Sequence, residues 1–170
     1  MQVQIDDSMW GELIGGVLIG FYIPKNRNGV RVLTHKYIDV YFFQGERFRN
    51  KEYIKRAYEL TKEFFREQNV QKTDELLLCR GYLMKEVGSK LIIEGYNVKF
   101  VKIVGVLQNY LVNQNHKKLL EIIKDPSFFH QKGSQFDRLV RWVNKDLKNR
   151  ERFVKTGWKK WAKYRGNKNY

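Results

Sequence analysis

Asp6 and Asp7 are adjacent carboxylates in a chain that is otherwise strongly basic. They end a short alternation, Val3-Gln4-Ile5-Asp6, that reads as a strand. A carboxylate beside apolar strand neighbours is costly unless it is paired or holds a cation. Paired acids suit Mg²⁺ or Mn²⁺, which take oxygen ligands and leave positions open for water and a phosphate. The chemistry in view is metal-assisted phosphodiester hydrolysis, in which two ions about 4 Å apart activate a water and stabilise the leaving oxygen. The competing reading is a turn, because Asp is common between strands and Ser8-Met9-Trp10-Gly11 follows.

A two-ion site needs three or four carboxylates at one point, and the fold decides which. Glu52 opens the first long helical pattern and Asp137 opens the last. An acid at either place is also what a helix N-terminus favours. Asp146 lies further along the last helix and reads as solvent-facing, and Asp125 precedes Pro126 as a turn residue.

Lys and Arg number 33 against 18 Asp and Glu, a formal +15. Such an excess points to a polyanionic partner, nucleic acid first and an anionic membrane surface second. Residues 138–170 hold 12 Lys and Arg against Asp146 and Glu151. Trp142, Phe153, Trp158, Trp161, Tyr164 and Tyr170 interleave with them. Lys and Arg displace counterions from phosphates, and exposed rings stack on unpaired bases, so a single strand is favoured over a duplex. The candidate contacts are Trp10, Arg138, Arg141, Lys145, Lys155, Trp158, Lys159 and Lys160. Trp142, one turn from Leu139, reads as core, whereas Trp158 and Trp161 fit either core or binding.

The elements that must position these groups follow from periodicity. Strands are expected at 3–6, 13–23 and 30–43, with Asn28-Gly29 as a hairpin turn. A helix at 49–68, a strand at 76–82, a helix at 84–94 closed by Gly95, a strand at 98–104 and a helix at 107–124 follow. After a loop at 125–135, a long basic helix is expected over 135–163, with a break near Gly157. This order predicts an α/β fold: a mixed sheet of about five strands, three antiparallel and then parallel, flanked by helices. A single domain is expected, with its core in 1–133 and a C-terminal helix and basic extension in 134–170 that completes the site.

The one cysteine, Cys79, excludes an internal disulfide and a cysteine-based zinc site, and its apolar run favours a buried thiol. Residues 13–23 are too short and too rich in glycine to span a bilayer. No basic segment precedes the first apolar run, so a signal peptide is not expected. A soluble, cytoplasmic protein with no membrane partner is the expectation. Exposed aromatics and the hairpin edge leave room for a homo-oligomer without fixing a number of subunits. His35, His116 and His130 lack metal-ligand spacing, and Gly15-Gly16 lacks the Lys-Ser/Thr of a phosphate loop.

Ile5-Asp6-Asp7-Ser8-Met9-Trp10-Gly11, followed by Gly15-Gly16-Val17, resembles the first-strand motif of type 2 ribonucleases H. There an Asp and an adjacent acid precede a small residue and a glycine, and both acids bind metal. The resemblance therefore implies metal binding by Asp6 and Asp7. Asp7 stands where the motif has Glu, and Trp10 stands where a basic residue is often found. Leu76-Leu77-Leu78-Cys79-Arg80-Gly81 resembles the fourth strand of PIWI and related domains, which usually ends in Asp. Cys79, Arg80 and Gly81 stand there instead. The ribonuclease H-like superfamily also places a Glu on the first helix and a carboxylate on or before the last, which implies roles for Glu52 and Asp137.

The overall likeness is to archaeal single-strand-specific 3′–5′ exonucleases with a ribonuclease H-like fold. It implies a Mg²⁺- or Mn²⁺-dependent exonuclease on single strands, with DNA favoured over RNA. Two other readings stay open. One is an inactive nucleic-acid-binding module of the same fold, favoured by the missing fourth-strand acid. The other is a ribonuclease H acting on RNA/DNA hybrids.

Overall fold

The computed structural model describes residues 1–167, so Tyr170 of the aromatic series lies outside the described residues. One mixed sheet holds β1 (Gln2–Ser8), β2 (Val17–Ile23), β3 (Val32–Ile38), β4 (Glu75–Cys79) and β5 (Asn97–Val101). The spatial order is β3-β2-β1-β4-β5. The β1–β2 and β2–β3 pairs are antiparallel, and the β1–β4 and β4–β5 pairs are parallel. This is the expected arrangement, since parallel neighbours require crossovers that here are helical. The helices are α1 (Gly45–Arg49), α2 (Glu52–Glu67), α3 (Tyr82–Ile93), α4 (Val106–Ile123), α5 (Gln135–Lys145), α6 (Leu147–Arg150) and α7 (Trp161–Tyr164).

The two faces of the sheet are covered differently. Phe21 of β2 stacks on Phe64 of α2, with ring centroids 4.1 Å apart. Its neighbour Gly20 points the other way, where an added Cβ would lie 2.8 Å from Leu111 and 2.9 Å from Leu107 of α4. A side chain at Gly20 would push α4 off the sheet. Ile5 pairs with both Phe21 and Leu78, and Leu78 packs against Gly88 of α3. So α2 and α3 share one face with Ile5, and α4 covers the opposite face. Val3 and Ile5 of the central strand are fully buried.

Two expected boundaries shift for local reasons. The third strand stops at Ile38 because Asp39 accepts the Tyr41 N–H at 2.8 Å and starts a 3-10 turn over Val40–Phe43. The helix expected over 49–68 begins only at Glu52, because Lys51, whose φ is 56°, breaks it from the short α1 that precedes it. The paired glycines also have a steric cause. A Cβ on Gly16 would lie 1.7 Å from the Ile38 carbonyl oxygen, and the Gly16 N–H donates to the Tyr37 hydroxyl at 2.7 Å.

The single long basic helix over 135–163 is not formed. Its first part is real: α5 buries Leu139, Val140 and Val143 on one face. It ends at Asp146, whose carboxylate accepts from Asn149 Nδ2 at 3.0 and 3.1 Å. After α6 and a 3-10 turn at Glu151–Phe153, the chain doubles back as an extended strap. Val154 bridges to Ile14, the Gly15 N–H donates to the Phe153 carbonyl at 2.8 Å, and the Lys155 N–H donates to the Leu13 carbonyl at 3.0 Å. The Gly157 N–H donates to the Phe43 carbonyl at 3.0 Å, and Phe48 leaves no room there for a Cβ. Backbone pairing with residues 13–15 and 43 replaces the helical ladder. Among the described residues, no helix is long and apolar enough to cross a membrane.

Candidate functional site

Strand β1 delivers both acids to one end of the sheet. Asp6 pairs with Gly20 and Asp7 with Ile19. Consecutive strand residues face opposite sides, so Asp6 lies toward α4 and Asp7 toward α3. At the strand end both reach one cavity of about 540 Å³, formed with Cys79, Lys102 and Gln108. It opens at the carboxyl ends of β1, β4 and β5, where open α/β sheets bind ligands. Asp6 Oδ1 accepts the Asp7 N–H at 2.9 Å, and Cys79 Sγ donates to Asp7 Oδ1 at 3.2 Å. One ligand atom from each of Asp6, Asp7 and Cys79 lies within 4.8 Å of the others.

Gly81, the N-cap of α3, is part of this geometry. A Cβ there would lie 2.9 Å from Asp7 Oδ1 and 3.4 Å from Cys79 Sγ. The helix can start against the carboxylate only because that position carries no side chain.

Burial pushes the Asp7 carboxyl up to about 6; the nearby Asp6 charge adds to the rise, and the Cys79 thiol opposes it. Burial also raises Asp6, against hydrogen bonds from Cys79 and the Asp7 backbone. The thiol itself is pushed up, first by burial and then by the charges of Asp7 and Asp6, so it stays protonated and donates. A cation between the two carboxylates would relieve both penalties.

The donor set can be tested against a metal. Two carboxylates, with waters and a substrate phosphate, are a set that Mg²⁺ or Mn²⁺ accepts. A protonated thiol is a soft, weak ligand for such an ion. The three groups therefore fit one divalent ion held by Asp6 and Asp7.

Compared with known protein families and with curated proteins, the chain matches none.

The other expected acids lie elsewhere. Among the described residues the cluster of candidate ligands comprises Asp6, Asp7 and Cys79. Asp137 is engaged at the N-cap of α5: its N–H donates to Ser134 Oγ at 3.2 Å, and the Ser134 hydroxyl donates to its carboxylate at 2.6 Å. Glu52 is the first residue of α2, beside the left-handed Lys51.

The expected nucleic-acid contacts divide in the same way. Lys155 is corrected: it is fully buried, and its Nζ donates to the carbonyls of Met9 at 2.7 Å and Glu12 at 2.6 Å. A phosphate cannot reach it. Burial pushes its ammonium down to about 7, opposed by Glu12. Lys155 thus ties the strap to the turn behind the acids, where Met9 holds a φ of 70°. Trp161, which the sequence left open between core and binding, is core, being 4% exposed with Nε1 donating to Glu151 at 2.8 Å.

Arg138 donates to the carbonyls of Gln131 at 3.1 Å and Gly133 at 2.6 Å, and Arg141 donates to that of Lys132 at 2.6 Å. Both guanidinium groups are engaged in holding the loop before α5. Trp10 is half-buried among Phe43, Tyr53 and Tyr82, with centroids 6.0, 5.5 and 5.6 Å away. Lys145, Lys159 and Lys160 are exposed. The half-buried Trp158 lines a second cavity of about 350 Å³ with Phe136, Tyr164 and Lys160.

Sequence reasoning missed Cys79 as a donor to Asp7, Gly81 as the space for that carboxylate, and Arg80 and Lys102 as cavity residues. The available signal was position. Each lies at or just past the carboxyl end of a parallel strand, where ligand sites concentrate.

Proposed function

We propose that this protein is a metal-dependent nuclease of the ribonuclease H-like superfamily that hydrolyses single-stranded nucleic acid, with DNA favoured over RNA and digestion from the 3′ end. The observation that carries the reading is the carboxylate pair of Asp6 and Asp7, ending the central strand in an open cavity of a protein with a +15 charge. In a basic protein, acids whose ionisation is resisted by burial favour a bound cation. Mg²⁺ or Mn²⁺, when bound, supplies charge neutralisation at the phosphate and a water of lowered pKa.

The chain's own residues do the rest. Asp6 and Asp7 would hold the ion, and the Cys79 thiol restrains the Asp7 carboxylate through its hydrogen bond. Exposed Lys145, Lys159 and Lys160 supply sequence-independent attraction for the strand. Trp158 offers a ring for a base to stack on.

A second reading is a binding module without hydrolysis. Cys79 at the end of β4, where a further acid would complete a two-ion set, is the observation that favours it.

A time course with 3′- and 5′-labelled single- and double-stranded oligonucleotides, in Mn²⁺, Mg²⁺ or EDTA, separates the two. Metal-dependent laddering of single strands from one end, lost in Asp6→Asn while binding persists, is the expected result. Tight binding with no cleavage under any metal would transfer the assignment to the binding module. Preferential cleavage of the RNA in a hybrid would instead mark a ribonuclease H.

A further inference from the structure

Two cations share the acid cavity without touching the acids. Arg80 is the first residue after β4, and Lys102 is the first after β5. They hold equivalent positions on neighbouring parallel strands, and both line the cavity that contains Asp6 and Asp7. Both side chains are exposed, and among the described residues neither has a hydrogen-bond or ion-pair partner. Elsewhere in the molecule Arg27, Lys36, Arg56, Lys62 and Arg165 all reach carboxylates. Arg80 and Lys102, with two carboxylates in the same cavity, leave Asp6 and Asp7 unpaired by any cation, with open volume between.

We infer that Arg80 and Lys102 seat a phosphate of the substrate strand beside the Asp6–Asp7 pair. This rests on the nucleic-acid reading above and adds to it the groups that grip the phosphate. The physical need is direct. A phosphodiester approaching two carboxylates is repelled, and a single divalent ion leaves the complex of acids, ion and phosphate with net negative charge. Two flanking cations remove that excess. Arg also presents a planar fork that matches two phosphate oxygens, while Lys acts as a point charge. Their placement on one side of the acids orients the strand across the ends of β4 and β5. They are positioning residues and need not take part in proton transfer.

The test is equilibrium binding of a labelled single-stranded DNA oligonucleotide to the full chain in EDTA, as a function of salt. The variants are Arg80→Gln, Lys102→Gln, the double variant and Arg80→Lys. Lys25→Gln, in the β2–β3 turn at the far end of the sheet, is the surface-charge control. Removing one cation that neutralises a phosphate of a single strand flattens the slope of log affinity against log salt by about 0.7. Arg80→Gln and Lys102→Gln are expected to flatten it by about that much each, the double variant by about twice as much. Arg80→Lys should keep the wild-type slope, and Lys25→Gln should not change it. Thermal unfolding of each variant checks that the fold is intact.

If the wild type binds and cleaves but both Gln variants keep its slope and affinity, the phosphate seat is overturned and the nuclease reading is untouched. If the wild type binds without cleaving and the variants flatten the slope, the seat stands and hydrolysis falls. If the wild type neither binds an oligonucleotide in EDTA nor cleaves one in Mg²⁺ or Mn²⁺, both are overturned.

Discussion

The Cys79 thiol at the end of β4 donates to the Asp7 carboxylate at the end of β1, across 3.2 Å. A neutral donor thus stands at the end of β4, where the proposed two-ion reading would place a third carboxylate. Cys79→Asp should supply that acid. Without metal the new charge lies against two others and is expected to lower the melting temperature. Mn²⁺ should then raise it by more than it raises the wild type, since ion binding to the folded state alone is stabilising. Thermal unfolding with and without Mn²⁺ measures both, and an equal Mn²⁺ effect on the two proteins would refute the assignment.

The raised Asp7 carboxyl sets a pH dependence. It takes up its proton near pH 6 in the folded protein and near 3.8 in the unfolded chain. Its favourable contribution to the metal-free protein is therefore present below pH 3.8 and lost as pH rises through about 6. Asp7→Asn is expected to stabilise the metal-free protein at pH 8 by up to about 3 kcal/mol, with little effect at pH 4. Denaturant unfolding at the two pH values measures this. On the proposed metal-dependent reading, cleavage runs the opposite way and falls below pH 6, as a protonated Asp7 would no longer hold the ion.

Gly81→Ala tests the close approach of α3 to the acid. The added methyl would lie 2.9 Å from Asp7 Oδ1, so the carboxylate must move. Alanine is otherwise tolerated at the backbone angles of this residue, φ −63° and ψ 155°. The expected result is a loss of Mn²⁺ affinity, read by calorimetry, with a melting temperature within a few degrees of the wild type.

Lys155→Met removes the tie behind the site. It leaves the Met9 and Glu12 carbonyls without their donor, at about 1–3 kcal/mol each. The Lys155 ammonium is depressed to about 7 from 10.5, so its contribution to stability grows as pH rises over that interval and is lost as pH falls through 7. The destabilisation by Lys155→Met should accordingly be larger at pH 9 than at pH 7. Unfolding free energies at both values decide it, and a smaller loss at pH 9 would show that the buried amine does not titrate in this way.

The legible parts of the sequence were those with local patterns. The alternation of Val3 and Ile5 marked the central strand, and the acids at its end marked the cavity. Helical spacing of Leu139, Val140 and Val143 marked α5. Beyond Asp146 the pattern failed, because Val154, Lys155 and Gly157 are held by Ile14, Leu13, Met9, Glu12 and Phe43, which are remote in sequence. Lys155 was read as a nucleic-acid contact from its place in the basic, aromatic stretch, and its burial escaped because lysine is almost never fully buried. Asp137 had two meanings in the sequence, a ligand or a helix-start acid, and Ser134 three residues earlier carries the second. Arg80 stood in the sequence only as a departure from the fourth-strand motif and Lys102 in no motif, and the strands expected over 76–82 and 98–104 enclosed both, whereas the observed strands end one residue before each.

The tie between Lys155 and Met9 joins residues 146 positions apart. Contacts so remote form late in folding, since a long loop must close first. During synthesis the sheet strands and both acids emerge long before the strap that fastens the turn behind them. The acid pair is thus made early but gains its rigid backing only after residues 151–161 have been made.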